Sequence, residues 1–232
     1  MSNEIEVCIE QYREMLPRFE QFMYIVRDYF RLEPPFNKSS TTVIHSLKYR
    51  LKDEDHLRDK LARKREQGRI ITPETLFAEV TDLAGVRVLH LYQDQFEIIH
   101  KKILEKVESK DWVFAESPKA YTWDPEAKSY FEKLNISCYQ KESYYTSIHY
   151  LVKPREDSPL TCEIQVRTLF EEVWGEIDHT INYPHQTESI ACREQIRVLS
   201  KLVSTGTRLA DSIFRSYQEH KTSQNKSPVT TR

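Results

Sequence analysis

Two short runs hold the residues best suited to chemistry. Glu163-Ile164-Gln165-Val166-Arg167-Thr168 alternates, and so does Tyr145-Thr146-Ser147-Ile148-His149-Tyr150 just upstream. Strand side chains switch faces at every residue, so Ile164 and Val166 point one way and Glu163, Gln165 and Arg167 the other. In the upstream run Tyr145, Ser147 and His149 share a face. If the runs pair, one sheet face brings an aromatic plate, a carboxylate and a fixed cation together, which is what a nucleotide site requires. The bland alternative is a hydrogen-bonded polar layer beneath a helix.

Three further clusters matter. Arg50 and Lys52 alternate on a strand pattern, while Lys60, Arg63 and Lys64 recur at helical spacing. Cations converging from two elements suit a polyphosphate, although a solvated basic helix would explain the second group alone. Asp82 stands just before the apolar run Gly85-Val86-Arg87-Val88-Leu89; a carboxylate at such an edge suits Mg²⁺, which takes one or two carboxylates plus phosphate oxygens. Arg87 inside that run must be paired, with Asp82 or Glu163 as structural partners, or bound to something. Glu172, Glu176 and His179 share one side of a helix and are placed to orient the sheet residues. Glu176, His179 and His185 lack the spacing of a known zinc motif.

The elements that must position these residues follow from periodicity. Ile5, Cys8, Ile9, Tyr12, Leu16, Phe19, Phe22, Met23 and Phe30 predict one or two N-terminal helices with a kink or break at Pro17. Asp53 is a predicted N-cap and Gly68 a C-cap for the basic helix. A strand at Gly85–Tyr92, a helix around Phe96–Val107 and a strand from Trp112 to Ala115 follow. Residues 117–135 read as a loop with a short helix near Ala127–Leu134, then strands near 136–141, 145–153 and 160–167. Thr168 caps the next helix, and a long amphipathic helix runs from Glu188 to His220. The expected architecture is α+β: a mixed sheet of about five strands flanked by helices, with helical extensions at both ends. The expected organisation is an N-terminal extension over 1–35, a core domain over 42–183, the long helix over 188–220 and a disordered tail over 221–232.

Composition narrows the class. A net charge of −2 gives no global nucleic-acid signature, and only 4 glycines in 232 residues argue against a glycine-rich phosphate cradle. Four scattered cysteines without a CxxC fit a reducing compartment. The acidic start has no secretory pattern and no apolar run is long enough for a membrane span, so a cytoplasmic protein without membrane contact is expected.

In order and spacing, Arg50-x-Lys52 with Lys60 and Arg63, then Thr81-Asp82-Leu83-Ala84-Gly85-Val86-Arg87, then Tyr145-x-Ser147-x-His149, then Glu163-Ile164-Gln165-Val166-Arg167-Thr168 resemble the synthetase domain of RelA/SpoT-type alarmone enzymes. The resemblance spans about residues 42 to 183. It implies a nucleotidyltransferase-like fold and a pyrophosphokinase that moves the β,γ-pyrophosphate of ATP to the 3′-hydroxyl of GDP or GTP. Carried over, Arg50, Lys52, Lys60 and Arg63 would grip ATP. Asp82 and Glu163 would hold Mg²⁺, Glu163 would also activate the acceptor hydroxyl, and Arg87 would touch donor phosphate. Tyr145 would stack on the acceptor base, with Ser147, His149, Gln165 and Arg167 completing the acceptor side. The chain is similar to a small stand-alone synthetase, and it has no His-Asp dipeptide of the hydrolase found in larger members.

Two departures bear on the acceptor. Lys141-Glu142-Ser143-Tyr144 stands where many synthetases have a Pro-Asn-Gly run, and His56 stands where many have Ser. Small relatives that pyrophosphorylate adenine nucleotides or the 3′-CCA end of tRNA are thus an alternative, for which Lys64, Arg65 and Arg69 could serve a tRNA. A nucleotide sensor without catalysis is the alternative from another class. A homo-oligomer or an antitoxin is left open as a partner.

Overall fold

The computed structural model describes residues 2–37, 42–183 and 186–226; the end of the expected disordered tail and His185 lie outside them. In chain order the elements are α1 (Ser2–Leu32), α2 (Pro34–Asn37), β1 (Ser46–Leu51), α3 (Glu54–Glu66), α4 (Leu76–Glu79), β2 (Ala84–His90), α5 (Phe96–Glu108), β3 (Val113–Tyr121), α6 (Pro125–Lys133), β4 (Ser137–Tyr139), β5 (Ser147–Lys153), β6 (Cys162–Thr168), α7 (Leu169–Asn182) and α8 (Ile190–Lys226). The sheet has six strands, one more than expected, in the order β1-β2-β6-β5-β3-β4. It is mixed: β2 and β6 run parallel, as do β3 and β4, and the other neighbours are antiparallel.

Each strand has an apolar and a polar side. Val86, Val88, Ile148, Tyr150, Val152, Ile164 and Val166 form the apolar face, and α1 covers it with Cys8, Ile9, Tyr12, Phe19, Met23 and Val26. Burying side chains of this size contributes roughly 1.5–3 kcal/mol each, which explains why α1 does not break at Pro17. The helix is continuous over 31 residues with Pro17 inside it. Pro17 is exposed while Tyr12 and Phe19 are buried, so the lost backbone bond faces water and the apolar stripe stays seated. The Tyr12 hydroxyl donates to the Lys52 carbonyl at 2.7 Å and ties α1 to the end of β1.

Residues 117–121, expected as loop, are instead the second half of β3, while the short helix expected near Ala127–Leu134 is α6. β3 passes through Pro118 because its register to β5 shifts between Glu116 and Lys119, an irregularity that tolerates a missing N–H. Asp124 caps α6 by accepting from Glu126 and Ala127. The predicted caps at Asp53 and Thr168 are present, the latter as a capping box with Glu171. Gly68 takes the left-handed conformation just beyond α3.

The long helix α8 is turned inside out. Its inward face is largely polar and bonded to the domain: Ser200 donates to the Tyr144 carbonyl at 3.1 Å, Ser204 to Asp124, and Asp211 accepts from the Asp94 backbone at 3.0 Å. Its outward face carries Val198, Leu202, Leu209, Ile213 and Tyr217, all exposed.

Candidate active site

The polar face of the sheet forms the floor of a cavity of about 460 Å³ roofed by α7. Strand register arranges its residues in rows. Lys48, Arg87, Gln165 and His149 are neighbours across β1, β2, β6 and β5. The next row is Arg50, Gly85 and Glu163. Gly85 therefore leaves a gap between a cation and a carboxylate, the open part of the floor. Its missing Cβ would meet only the Glu163 carbonyl, at 3.7 Å, so protein packing does not require glycine there.

Asp82 sits at the mouth of β2. It accepts from Lys60 at 2.7 Å and from Lys52 at 3.0 Å. Burial pushes its pKa up, but Lys60 and Lys52 outweigh this and hold it below the usual carboxylate range. The two lysines are thus brought together by Asp82, while Arg50 lines the cavity directly. Arg63 has a buried Nε with no hydrogen-bond partner among the described residues, and its guanidinium lies 6.0 Å from the Tyr183 ring centre. Tyr183 also stacks on His179 and receives the edge of His56.

Glu163 ends a hydrogen-bonded relay. The Arg167 guanidinium donates to the Tyr145 hydroxyl, Tyr145 to His149 Nε2 at 2.9 Å, and His149 Nδ1 to Glu163 at 2.8 Å, with the ring tautomer assigned from this network. Gln165 donates to the other Glu163 oxygen at 2.6 Å. Burial raises the Glu163 pKa; the bonds from His149 and Gln165 outweigh it and keep the group ionised, against opposition from nearby Asp82.

Arg87 pairs with neither Asp82 nor Glu163, its expected structural partners. It binds Glu172 at 2.7 Å and Glu176 at 2.9 Å. Glu172 is buried and also receives Lys48 at 2.8 Å and Arg167 at 3.4 Å. One carboxylate of α7 thus gathers three cations from three strands, which is the orienting role expected for Glu172 and Glu176. His179 instead packs on Tyr183. Gly175 lets Arg167 pass under α7, since a Cβ there would lie 2.7 Å from its guanidinium.

Tyr145 precedes β5 rather than lying on it. Its ring centre is 4.4 Å from the Lys141 ammonium and 4.8 Å from the Arg167 guanidinium. Ser147 is fully buried and accepts from Arg167 at 3.1 Å, so it supports that guanidinium from below. Tyr144 has a left-handed backbone, φ +63°, and stacks on Trp123 at 5.3 Å. Of the residues singled out from sequence, Arg50, Asp82, Arg87, Tyr145, Glu163, Gln165, Arg167, Glu176 and His179 line the cavity; Lys52, Lys60, Arg63, Ser147 and His149 do not. Sequence reasoning missed Lys48, Asp178, Asn182 and Tyr183 in its wall. Lys48 had a usable signal, its two-residue spacing from Arg50.

A six-stranded mixed sheet with this helical cover is the fold of the small alarmone synthetases. A GTP pyrophosphokinase family protein from Streptococcus pneumoniae superposes with a TM-score of 0.66 at 22% identity, over 91% of this chain and 94% of that one. Small alarmone synthetase 1 from Bacillus subtilis, bound to its product pppGpp, gives 0.64 at 20% identity, over 90% and 98%. The same synthetase bound to AMPCPP gives 0.60 at 20% identity, over 90% and 95%. No curated protein sequence matches the chain. The sequence pattern of the region found in RelA / SpoT proteins matches residues 49–188, and the chain belongs to that family. Among the described residues, no helix is long and apolar enough to cross a membrane.

Proposed function

We propose that the chain transfers the β,γ-pyrophosphate of ATP to the 3′-hydroxyl of GDP or GTP, giving a guanosine tetra- or pentaphosphate and AMP. The observation that carries this reading is that Asp82 and Glu163 line one cavity together with Gly85, Arg50 and Arg87. In the transfer the acceptor 3′-oxygen bonds to the β-phosphorus, the bond from that phosphorus to the α,β-bridging oxygen breaks, and AMP leaves. Such chemistry depends mostly on alignment and charge stabilisation, which fixed cations supply.

Two ionised carboxylates lining one cavity fit Mg²⁺, which completes its shell with phosphate oxygens. Asp82 and Glu163 would hold it, and it would neutralise charge developing on the phosphates. The lowered pKa of Glu163 suits a metal ligand better than a strong proton acceptor. Lys52 and Lys60, freed from Asp82 by the metal, would turn to the triphosphate together with Arg50 and Arg63. Arg87 would meet the transferred phosphates. On the acceptor side Tyr145 would stack on the base in place of the Lys141 ammonium, a contact worth roughly 1–3 kcal/mol. The solved relatives bound to pppGpp and to AMPCPP support both nucleotide classes.

The bulky Tyr144, where a glycine was expected from the resemblance, favours a second reading in which the acceptor is an adenine nucleotide or a tRNA 3′ end. The test is transfer of label from γ-³²P ATP with Mg²⁺, offering GDP, GTP, ATP or deacylated tRNA separately and resolving products by thin-layer chromatography. Label on a guanosine tetra- or pentaphosphate supports the first reading. Label on tRNA or an adenine nucleotide replaces it with the second, and no transfer to any acceptor overturns both.

A further inference from the structure

Lys48 and Arg87 hold one carboxylate more than their positions require. Glu172 Oε1 takes Lys48 at 2.8 Å and Arg87 at 2.7 Å. One turn further along α7, Glu176 Oε1 takes the same two cations at 3.3 and 2.9 Å. Lys48, Arg87 and Glu176 line the cavity, whereas Glu172 does not. The two carboxylates also differ in how they are held. The Glu172 side chain is 6% exposed and its other oxygen takes Arg167 at 3.4 Å, so three strands fix it. The Glu176 side chain is 54% exposed, and its Oε2 has no partner among the described residues. Ion pairs this open to water contribute about 0–1 kcal/mol each, so little keeps Glu176 where it is.

A side-chain rotation that swings Glu176 away leaves α7 in place. It sets Lys48, Arg87 and Arg167 against the single carboxylate of Glu172, with Arg50 further along the same strand face as Lys48. That wall then carries an excess of positive charge facing the cavity. Arg87 has donors to spare for an anion. Its Nη1 serves both carboxylates and its Nε reaches Gln165 at 3.3 Å, while its Nη2 donates to none of the described residues. A guanidinium offers paired N–H groups that match phosphate oxygens, and a lysine ammonium beside it adds a point charge.

We infer that Lys48 and Arg87 form a phosphate subsite of the cavity, and that the Glu176 carboxylate stands in for the phosphate until a nucleotide displaces it. The inference rests on the nucleotide reading of the site; it adds Lys48 as a phosphate contact and Glu176 as an internal competitor. The ligand is a phosphate group of a nucleoside polyphosphate, from the donor or from the acceptor. A phosphate brings more charge than a carboxylate and several strong acceptor oxygens. It satisfies Lys48 and the idle Nη2 of Arg87 together, which the single bonding oxygen of Glu176 does not. Glu176 in turn keeps two adjacent cations compensated while the cavity is empty, and apparent affinity falls by the fraction of chains in which it occupies the subsite. A Glu176 that only fastened α7 to the sheet would act with the opposite sign, because its loss would loosen the site.

The test is titration calorimetry of the full-length protein with Mg²⁺ and, separately, AMPCPP and GDP, which reads binding without transfer. Glu176→Gln keeps the volume and removes the charge, and is expected to bind at least one of the two nucleotides roughly threefold to tenfold tighter. Lys48→Met is expected to bind that same nucleotide at least about fivefold more weakly. Whichever nucleotide responds identifies the phosphate as the donor's or the acceptor's. Both effects should shrink as salt is raised. Asp178→Asn removes a charge from the same cavity wall without touching Lys48 or Arg87, its carboxylate accepting instead from Asn182 at 2.8 Å, and should tighten binding less. A Glu176→Gln protein that binds both nucleotides no tighter than wild type, a Lys48→Met protein that binds both as well as wild type, or an Asp178→Asn protein that gains as much as Glu176→Gln would overturn the inference. Opposite shifts in the two variants without any pyrophosphate transfer would uphold the subsite and overturn only the proposed reaction.

Discussion

Glu163→Gln is the sharpest perturbation of the site, because it removes one charge and little volume. Glu163 accepts from His149 at 2.8 Å and from Gln165 at 2.6 Å. A glutamine keeps one acceptor oxygen for His149 but turns its amide toward the Gln165 amide, so two donors meet. Gln165 must then rotate, which takes its oxygen from Arg87 and Arg167. Losing one charge-assisted hydrogen bond at a site this well covered costs about 1.5–3 kcal/mol, or a melting shift of roughly 3–12 °C for a chain of this size. The chemical cost is far larger. On the proposed function the variant loses one of the two carboxylates assigned to the metal and any proton acceptance, and loss of the latter alone costs about 10²–10⁴-fold. Initial rates of pyrophosphate transfer, measured with Mg²⁺ titrated and melting recorded in parallel, should show kcat down at least about 100-fold in a folded protein. A rate within about threefold of wild type would refute the role given to Glu163. So would an acidic limb of the rate profile near neutral pH assigned to Glu163, since its lowered pKa keeps it ionised throughout that range.

Other outcomes follow from the same geometry. Gly85→Ala should melt like wild type, because its methyl meets only a carbonyl at 3.7 Å, yet transfer should fall at least about tenfold as the methyl fills the floor between Arg50 and Glu163. Tyr144→Gly removes a left-handed strain of about 1–2 kcal/mol together with the Trp123 stack; the acceptor KM should rise several-fold while the ATP KM stays unchanged. Burial pushes the Glu171 carboxyl up to about 7. A raised folded pKa contributes stability below the ordinary carboxylate value that is lost as pH rises through about 7. The melting temperature of Glu171→Gln minus that of wild type should therefore grow between pH 5 and pH 8, and a flat difference would contradict the burial of that charge.

The parts of the site legible in sequence were those fixed by a two-residue period. Glu163, Gln165 and Arg167 alternate against buried Ile164 and Val166, and β5 pairs with β6 as expected, in a register that puts His149 beside Gln165. What failed depended on partners distant in sequence. Pro17 and Pro118 read as breaks because propensity is local, whereas the sheet holds α1 together and a register shift accommodates β3. Arg87 was given Asp82, its neighbour in the motif, or Glu163 as structural partner. Glu172 won because α7 folds back over the sheet, and Asp82 was already taken by two lysines. The amphipathic pattern of α8 was visible, but periodicity alone cannot say which face turns outward.

The strand order has a consequence for how the molecule comes to be made. β6, the last strand of the sheet in chain order among the described residues, enters its middle, between β2 and β5. Until residue 168 has emerged, β1 and β2 can pair with each other and β3, β4 and β5 among themselves, but nothing joins the two halves. Contacts between chain segments this far apart close slowly. A nascent chain stopped before Cys162 therefore carries two open strand edges and the uncovered apolar side of α1, a state prone to aggregation. It also lacks Glu163, one of the two carboxylates proposed to hold the metal, so on the proposed function an unfinished chain would not use nucleotide before the fold is closed.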